Sequence, residues 1–206
     1  MGALAVVVLA AGCSRSEART PLVAGSQAPV VLPGAPGEPG RTAEPGGRIG
    51  DSEARPAAAD VRFAEMMIPH HRQALEMAAL VHARTSDRLV GAVADRVTTG
   101  QGPEIAVMES WLESLGRRPP ASDSHGQTSG YGMATLEELN RLREARGGAF
   151  DRLFLTLLIR HHEGAVRMAG EELRGGRDRA MRKMAQDVVS GQQIEITRMR
   201  GVLDGL

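Results

Sequence analysis

DVRFAEMMIPHHRQALEMAALV, residues 60–81, returns at residues 151–172 as DRLFLTLLIRHHEGAVRMAGEE. The offset of 91 that lays His161 on His70 also lays Phe154 on Phe63, Ile159 on Ile68, His162 on His71, Ala165 on Ala74, Met168 on Met77 and Ala169 on Ala78. Without a gap it then pairs Gly100 with Gly191, Gln101 with Gln192, Glu104 with Glu195, Ile105 with Ile196, Met108 with Met199 and Leu112 with Leu203. A register kept over that length marks an internal repeat. Apolar residues recur at helical spacing in both copies, so the repeat reads as a two-helix hairpin and the chain as an all-α, four-helix bundle of two such hairpins.

The repeats are bounded as residues 60–115 and 151–206, with a linker over 116–150. Asp60 and Asp151 are read as N-caps of the first helices. The second helices are expected over about Ser86–Leu115 and Asp178–Leu203. Pro69 lies inside the first helix, where it removes one backbone hydrogen bond; Arg160 stands at its counterpart, so the fold does not require the proline. Within the linker, Thr135 and Glu138 have capping-box spacing and open a short helix, ATLEELNRLREA.

Upstream, MGALAVVVLAAGCSRSE is an apolar run ending in small residues, the pattern of a secretory signal and too short for a comfortable membrane span. Its end, Leu9-Ala10-Ala11-Gly12-Cys13, resembles a bacterial lipobox, which makes Cys13 the expected lipidation site of residues 1–13; an ordinary cleaved signal, giving a secreted protein, is the alternative. Cys13 is the only cysteine, so no internal disulfide is available. Residues 14–59 are rich in Pro, Gly and Ala and hold few large apolar residues. Such a segment cannot offset the entropy of ordering and is expected to act as a flexible tether.

The 206 residues carry 25 basic and 25 acidic side chains, so no net field draws the chain to nucleic acid. Three Phe, one Tyr and one Trp leave the core to aliphatic residues and methionine. At about 100° per residue, Phe63, Met67, Ala74, Met77 and Val81 share the direction of His70, while His71 flanks this arc beside Ala78. Glu65, Arg72, Gln73 and Glu76 fall opposite. His161 and His162 repeat the arrangement, so four imidazoles are expected to converge on one interior. His82 and His125 are read as solvated.

Buried imidazoles are costly unless their nitrogens find partners, and a metal ion satisfies several at once. Imidazole with thioether sulfur favours copper over harder ions. Glu104 and Glu195, on the face that carries Met108 and Met199, need a cation or donor there; they serve either as ligands or as acceptors for a ligating histidine's N–H. A metal-free hydrogen-bonded core is the competing account.

The doubled HH-x-x-A-x-x-M-A strings, each followed by a Q-x-x-E-I-x-x-M helix, with GYGMATLEELNRL between them, resemble the bacterial "domain of unknown function 305" family. The resemblance implies a secreted, ferritin-like four-helix domain, with some members linked to copper binding. It implies His70, His71 and Met77, and His161, His162 and Met168, as candidate ligands. Met67, just before the first histidine pair, matches the family pattern, but Leu158 replaces it in the second copy.

Glu-x-x-His, His-Glu-x-x-His and phosphate-loop motifs are absent, which argues against di-iron, zinc-protease and nucleotide chemistry. The sequence thus predicts an extracytoplasmic, lipid-anchored copper-binding protein whose partners are the metal ion and, through Cys13, a membrane. A metal-free structural or protein-interaction module is the alternative; redox turnover at the same centre is a third reading.

Overall fold

Asp87 and Asp178 occupy equivalent positions in the two repeats, and each starts a long helix. Their carboxylates accept the first free backbone N–H groups: Asp87 those of Leu89 and Val90 at 2.8 and 3.0 Å, Asp178 those of Ala180 and Met181 at 2.8 and 3.0 Å. The computed structural model describes residues 22–23, 30–32, 40–43, 48–49, 56–121 and 130–206.

Two compact units divide the chain at Ser52 and Glu53. In the first, four short strands form two antiparallel pairs: β1 (Leu22–Val23) with β4 (Arg48–Ile49), and β2 (Val30–Leu32) with β3 (Arg41–Ala43). The tether read from composition included no such pairing, and pairs this short are marginal by themselves. Cys13 lies outside the described residues.

The second unit holds α1 (Ala58–Ala79), α2 (Arg88–Ser114), α3 (Leu136–Glu144), α4 (Gly147–Gly175) and α5 (Arg179–Asp204), with a single 3-10 turn at Val81–Ala83. α1 packs on α2 and α4, α4 packs on α5, and α2 meets α5 to close a four-helix bundle. α1 runs unbroken through Pro69. Among the described residues no helix is long and apolar enough to cross a membrane.

Two first-turn readings need correction. Asp60 is not the N-cap of α1: the helix begins two residues earlier, and the buried carboxylate accepts the Ala57 N–H at 2.5 Å. It also accepts the N–H groups of Arg177 and Asp178, both at 2.9 Å, and so ties the start of α1 to the turn before α5. Asp151 lies inside α4, buried, because that helix starts at Gly147. The capping box at Thr135 and Glu138 is present: Thr135 N–H donates to Glu138 Oε2 at 2.8 Å, and Glu138 N–H to Thr135 Oγ1 at 3.2 Å.

The core has two apolar clusters. One gathers Ala74–Ala78 of α1 with Val81 of the 3-10 turn, Val90–Val97 of α2, Phe150–Ile159 of α4 and Ile196–Met199 of α5. The other gathers Phe63–Ile68, Ile105–Leu112, Ala165–Ala169 and Met181–Val188 of the same helices. Burying each large side chain in them stabilises the fold by about 1.5–3 kcal/mol. Between the two clusters each of these four helices buries polar side chains: His70 and His71, Gln101, His161 and His162, and Gln192. The bundle therefore has a polar waist.

Outside the waist, equivalent positions carry one ion pair with its polarity reversed. Arg72 of α1 meets Glu109 of α2 at 2.5 Å, whereas Glu163 of α4 meets Arg200 of α5 at 2.6 Å.

Candidate metal centre

All four helical histidines reach the waist, and none is more than 1% exposed. His70 and His161 stack across the α1–α4 contact, with ring centroids 3.6 Å apart and planes 30° from parallel. His71 and His162 flank them at 6.4 and 6.3 Å from their neighbours' rings. Helical periodicity thus placed the four rings correctly, and it understated the burial of the flanking pair.

The hydrogen bonds decide which nitrogens remain free. His71 Nε2 lies 2.8 Å from Glu104 Oε2, and His162 Nε2 lies 2.7 Å from Glu195 Oε2. In neutral rings Nε2 therefore carries the proton and Nδ1 keeps its lone pair. His70 Nε2–H donates to the Tyr131 carbonyl at 2.9 Å. The buried Nδ1 atoms of His70, His71 and His162 have no partner, and neither nitrogen of His161 has one. Glu104 and Glu195, at 27% and 23% side-chain exposure, stand as the acceptors of the flanking histidines.

Electrostatics keeps the central pair neutral. Burial, reinforced by the positive charge that His71, His162 and Arg167 can carry, pushes His70 down to about 3 against the opposing pull of the Tyr131 carbonyl. Burial holds His161 well below the usual histidine range, and its imidazole neighbours add to the effect against a smaller opposing pull from the His70 backbone. Both rings are uncharged near neutrality, which is the form that ligates metals.

The five candidate methionines are buried but lie off this layer. Met77 and Met199 belong to the first apolar cluster; Met67, Met108 and Met168 belong to the second. Met77 and Met168 each stand seven residues beyond a waist histidine, about 10 Å along a helix axis. Gln101 and Gln192 were visible on the inward face, and the waist leaves the amide oxygen and nitrogen of each buried and unpartnered. Two participants escaped the sequence reading: the Tyr131 carbonyl, for which the GYG string was the available signal, and Gln73. Gln73 was placed on the outer face, yet it is 2% exposed. His82 is exposed and bonds Asp95 at 2.9 Å, in keeping with a solvated reading; His125 lies outside the described residues.

The orphaned nitrogens fit a metal that accepts neutral imidazole. Among the described residues, however, no three His, Cys, Asp or Glu side chains already converge as a closed ligand set. The waist supplies donors on fixed helices and an outer pair of carboxylates that orient two of the rings.

Solved structures share this architecture. A DUF305 protein from Streptomyces coelicolor, described as secreted, is 30% identical over 71% of this chain and 93% of its own, with a TM-score of 0.65. A DUF305 fragment from Deinococcus radiodurans is 34% identical over 73% of this chain and 99% of its own, with a TM-score of 0.65. CopM in its Cu(II)-bound form is 31% identical over 71% of this chain and 96% of its own, with a TM-score of 0.62. CopM has also been solved with Cu(I) and with silver. No curated protein sequence matches the chain. The model of the domain of unknown function DUF305 matches residues 60–203, and the chain belongs to that family.

Proposed function

We propose that the duplicated domain binds a soft transition-metal ion, copper before others, and sequesters or hands on that ion outside the cytoplasm. The observation that carries this reading is the set of buried imidazole nitrogens without partners, above all the two of His161. Leaving such groups unmet costs about 1–3 kcal/mol each, and an ion accepting the one lone pair that each neutral ring offers removes that cost at one nitrogen per ring. His70, His71, His161 and His162 would hold the ion, and methionines from the adjoining clusters, led by Met77 and Met168, would supply soft sulfur where side-chain movement brings them in. Glu104 and Glu195 orient their histidines and raise the rings' basicity. The copper- and silver-bound forms of CopM, at about the same identity as the secreted relative, support this choice of metal.

The test compares the full chain, loaded with Cu(I) and then desalted, with a variant carrying His70→Ala, His71→Ala, His161→Ala and His162→Ala. The native chain is expected to retain copper and the variant to lose it. Equal retention would remove the imidazoles from the site. The metal-free alternative is favoured by the two His–Glu bonds, but it leaves His161 unexplained.

The lipobox-like Leu9–Cys13 supports attachment of the domain to the outer face of a membrane through lipid on Cys13. Cys13→Ser is expected to move the protein from the membrane fraction to the soluble secreted fraction. An unchanged distribution in cell fractionation would rule out this anchor.

A further inference from the structure

Among the positions at which the two repeats differ, two lie where a single segment packs against the helices. Pro69 faces Arg160 in the alignment, and Gln73 faces Gly164. Gly130–Ala134, which occurs once in the chain, runs as a strap against these positions. Gln73 grips it through paired bonds to Ala134: its Nε2 donates to the carbonyl at 3.0 Å, and its Oε1 accepts the N–H at 2.7 Å. Gly164 admits it, since a Cβ there would overlap the Tyr131 carbonyl. Arg160 donates to Gly132 O at 3.3 Å while its guanidinium holds Glu138 at 2.6 Å.

The strap is held in a conformation it would not otherwise choose. Tyr131 has φ +44°, the left-handed region that a non-glycine residue enters at a cost. Its hydroxyl is tied to Glu171 at 2.7 Å. The result is one backbone carbonyl delivered to His70 Nε2, whereas neither ring nitrogen of His161 makes a hydrogen bond of ordinary length and angle.

We infer that this strap is a positioning element for the metal site, with Tyr131 acting through His70. It locks His70 as the Nε2–H tautomer so that Nδ1 is its ligating atom, and it makes the halves of the duplicated site inequivalent. The inference rests on the copper reading for its consequence but not for its first observable. A hydrogen-bond acceptor behind a ligating imidazole fixes ring and tautomer, and disturbing one costs about 10–100-fold in metal affinity. Because the acceptor comes from a linker present once, the repeat cannot supply its counterpart.

Long-range proton–nitrogen NMR of the metal-free full chain reads the tautomers directly. His70 is expected in the Nε2–H form, with a spectrum distinct from that of His161. Gln73→Ala, which releases Ala134, and Gly164→Ala, which displaces Tyr131, are expected to mix the His70 tautomers and weaken Ag(I) binding by about 10–100-fold. Asp178→Ala, a cap removed far from the strap in sequence, is the control: it lowers stability while leaving tautomer and Ag(I) affinity unchanged. A His70 ring already in the Nδ1–H form, or strap variants that keep native Ag(I) affinity, would overturn the inference. A native chain that fails to retain Ag(I) but shows the locked tautomer would overturn the copper reading and leave the strap's effect on His70 standing.

Discussion

Acidifying the metal-free protein from pH 7 to pH 4 is expected to lower its folding stability by about 3 kcal/mol through His70 alone. The ring titrates near 3 in the fold against 6.5 for an ordinary histidine, chiefly because burial disfavours its charged form. A pKa depressed by folding means that the unfolded chain takes up the proton first. The stabilisation is therefore complete above about 6.5 and disappears as the pH falls toward 3. His161, displaced in the same direction by the same cause, adds a loss of the same sign. Urea unfolding of the metal-free chain at pH 7, 5.5 and 4 measures the effect. A midpoint that stays constant over this range would mean that the stacked pair is not buried as neutral rings.

The second large effect is expected where Asp60 ties the start of α1 to the turn before α5. Asp60→Ala should destabilise the domain by about 4 kcal/mol, because it strands the N–H groups of Ala57, Arg177 and Asp178, whose bonds to a charged acceptor are among the stronger ones in proteins. Glu172 lies against the same carboxylate. Burial pushes it up to about 8, helped by the adjoining Asp60 carboxylate and its charge, so near neutrality it carries a proton. Here folding raises the pKa. The associated stabilisation is full below about 4.5 and is lost as the pH rises through 8. Glu172→Gln, which keeps a donor without a titrating proton, should match the native chain at pH 5 and exceed it by about 1–3 kcal/mol at pH 9. Thermal unfolding at the two pH values decides the matter: equal stability at pH 9 would show that Glu172 ionises without penalty.

Both effects bear on how far the sequence could be read. The duplication, the hairpins and the inward direction of His70 and His161 follow from local periodicity, which a sequence displays openly. The partners of Asp60 do not, because Arg177 is 117 residues away and no local pattern announces the contact. An aspartate before an apolar run looked like a cap; the helix start had in fact moved back to Ala58. Gln73 shows the same limit. A helical wheel treats every outward position as solvent, and only the path of Gly130–Ala134 turns that position into an interior one. For the methionines the wheel gave direction but not height: Met77 shares the azimuth of His70 and packs in a different layer. Glu104 and Glu195 are read from the sequence as either ligands or acceptors, and the structure adds their contacts with the flanking rings, which spacing alone does not show.

A duplicated chain has a recurring hazard, since helices with nearly interchangeable apolar faces can select the wrong mate while folding. The inverted pairs Arg72–Glu109 and Glu163–Arg200 discriminate between the pairings. If α1 took α5 as its mate in place of α2, Arg72 would confront Arg200, and the remaining helices would set Glu163 against Glu109. Two attractions would become two repulsions. The reversed charges thus favour each hairpin's own pairing, and the same exchange between neighbouring molecules is disfavoured on the same grounds.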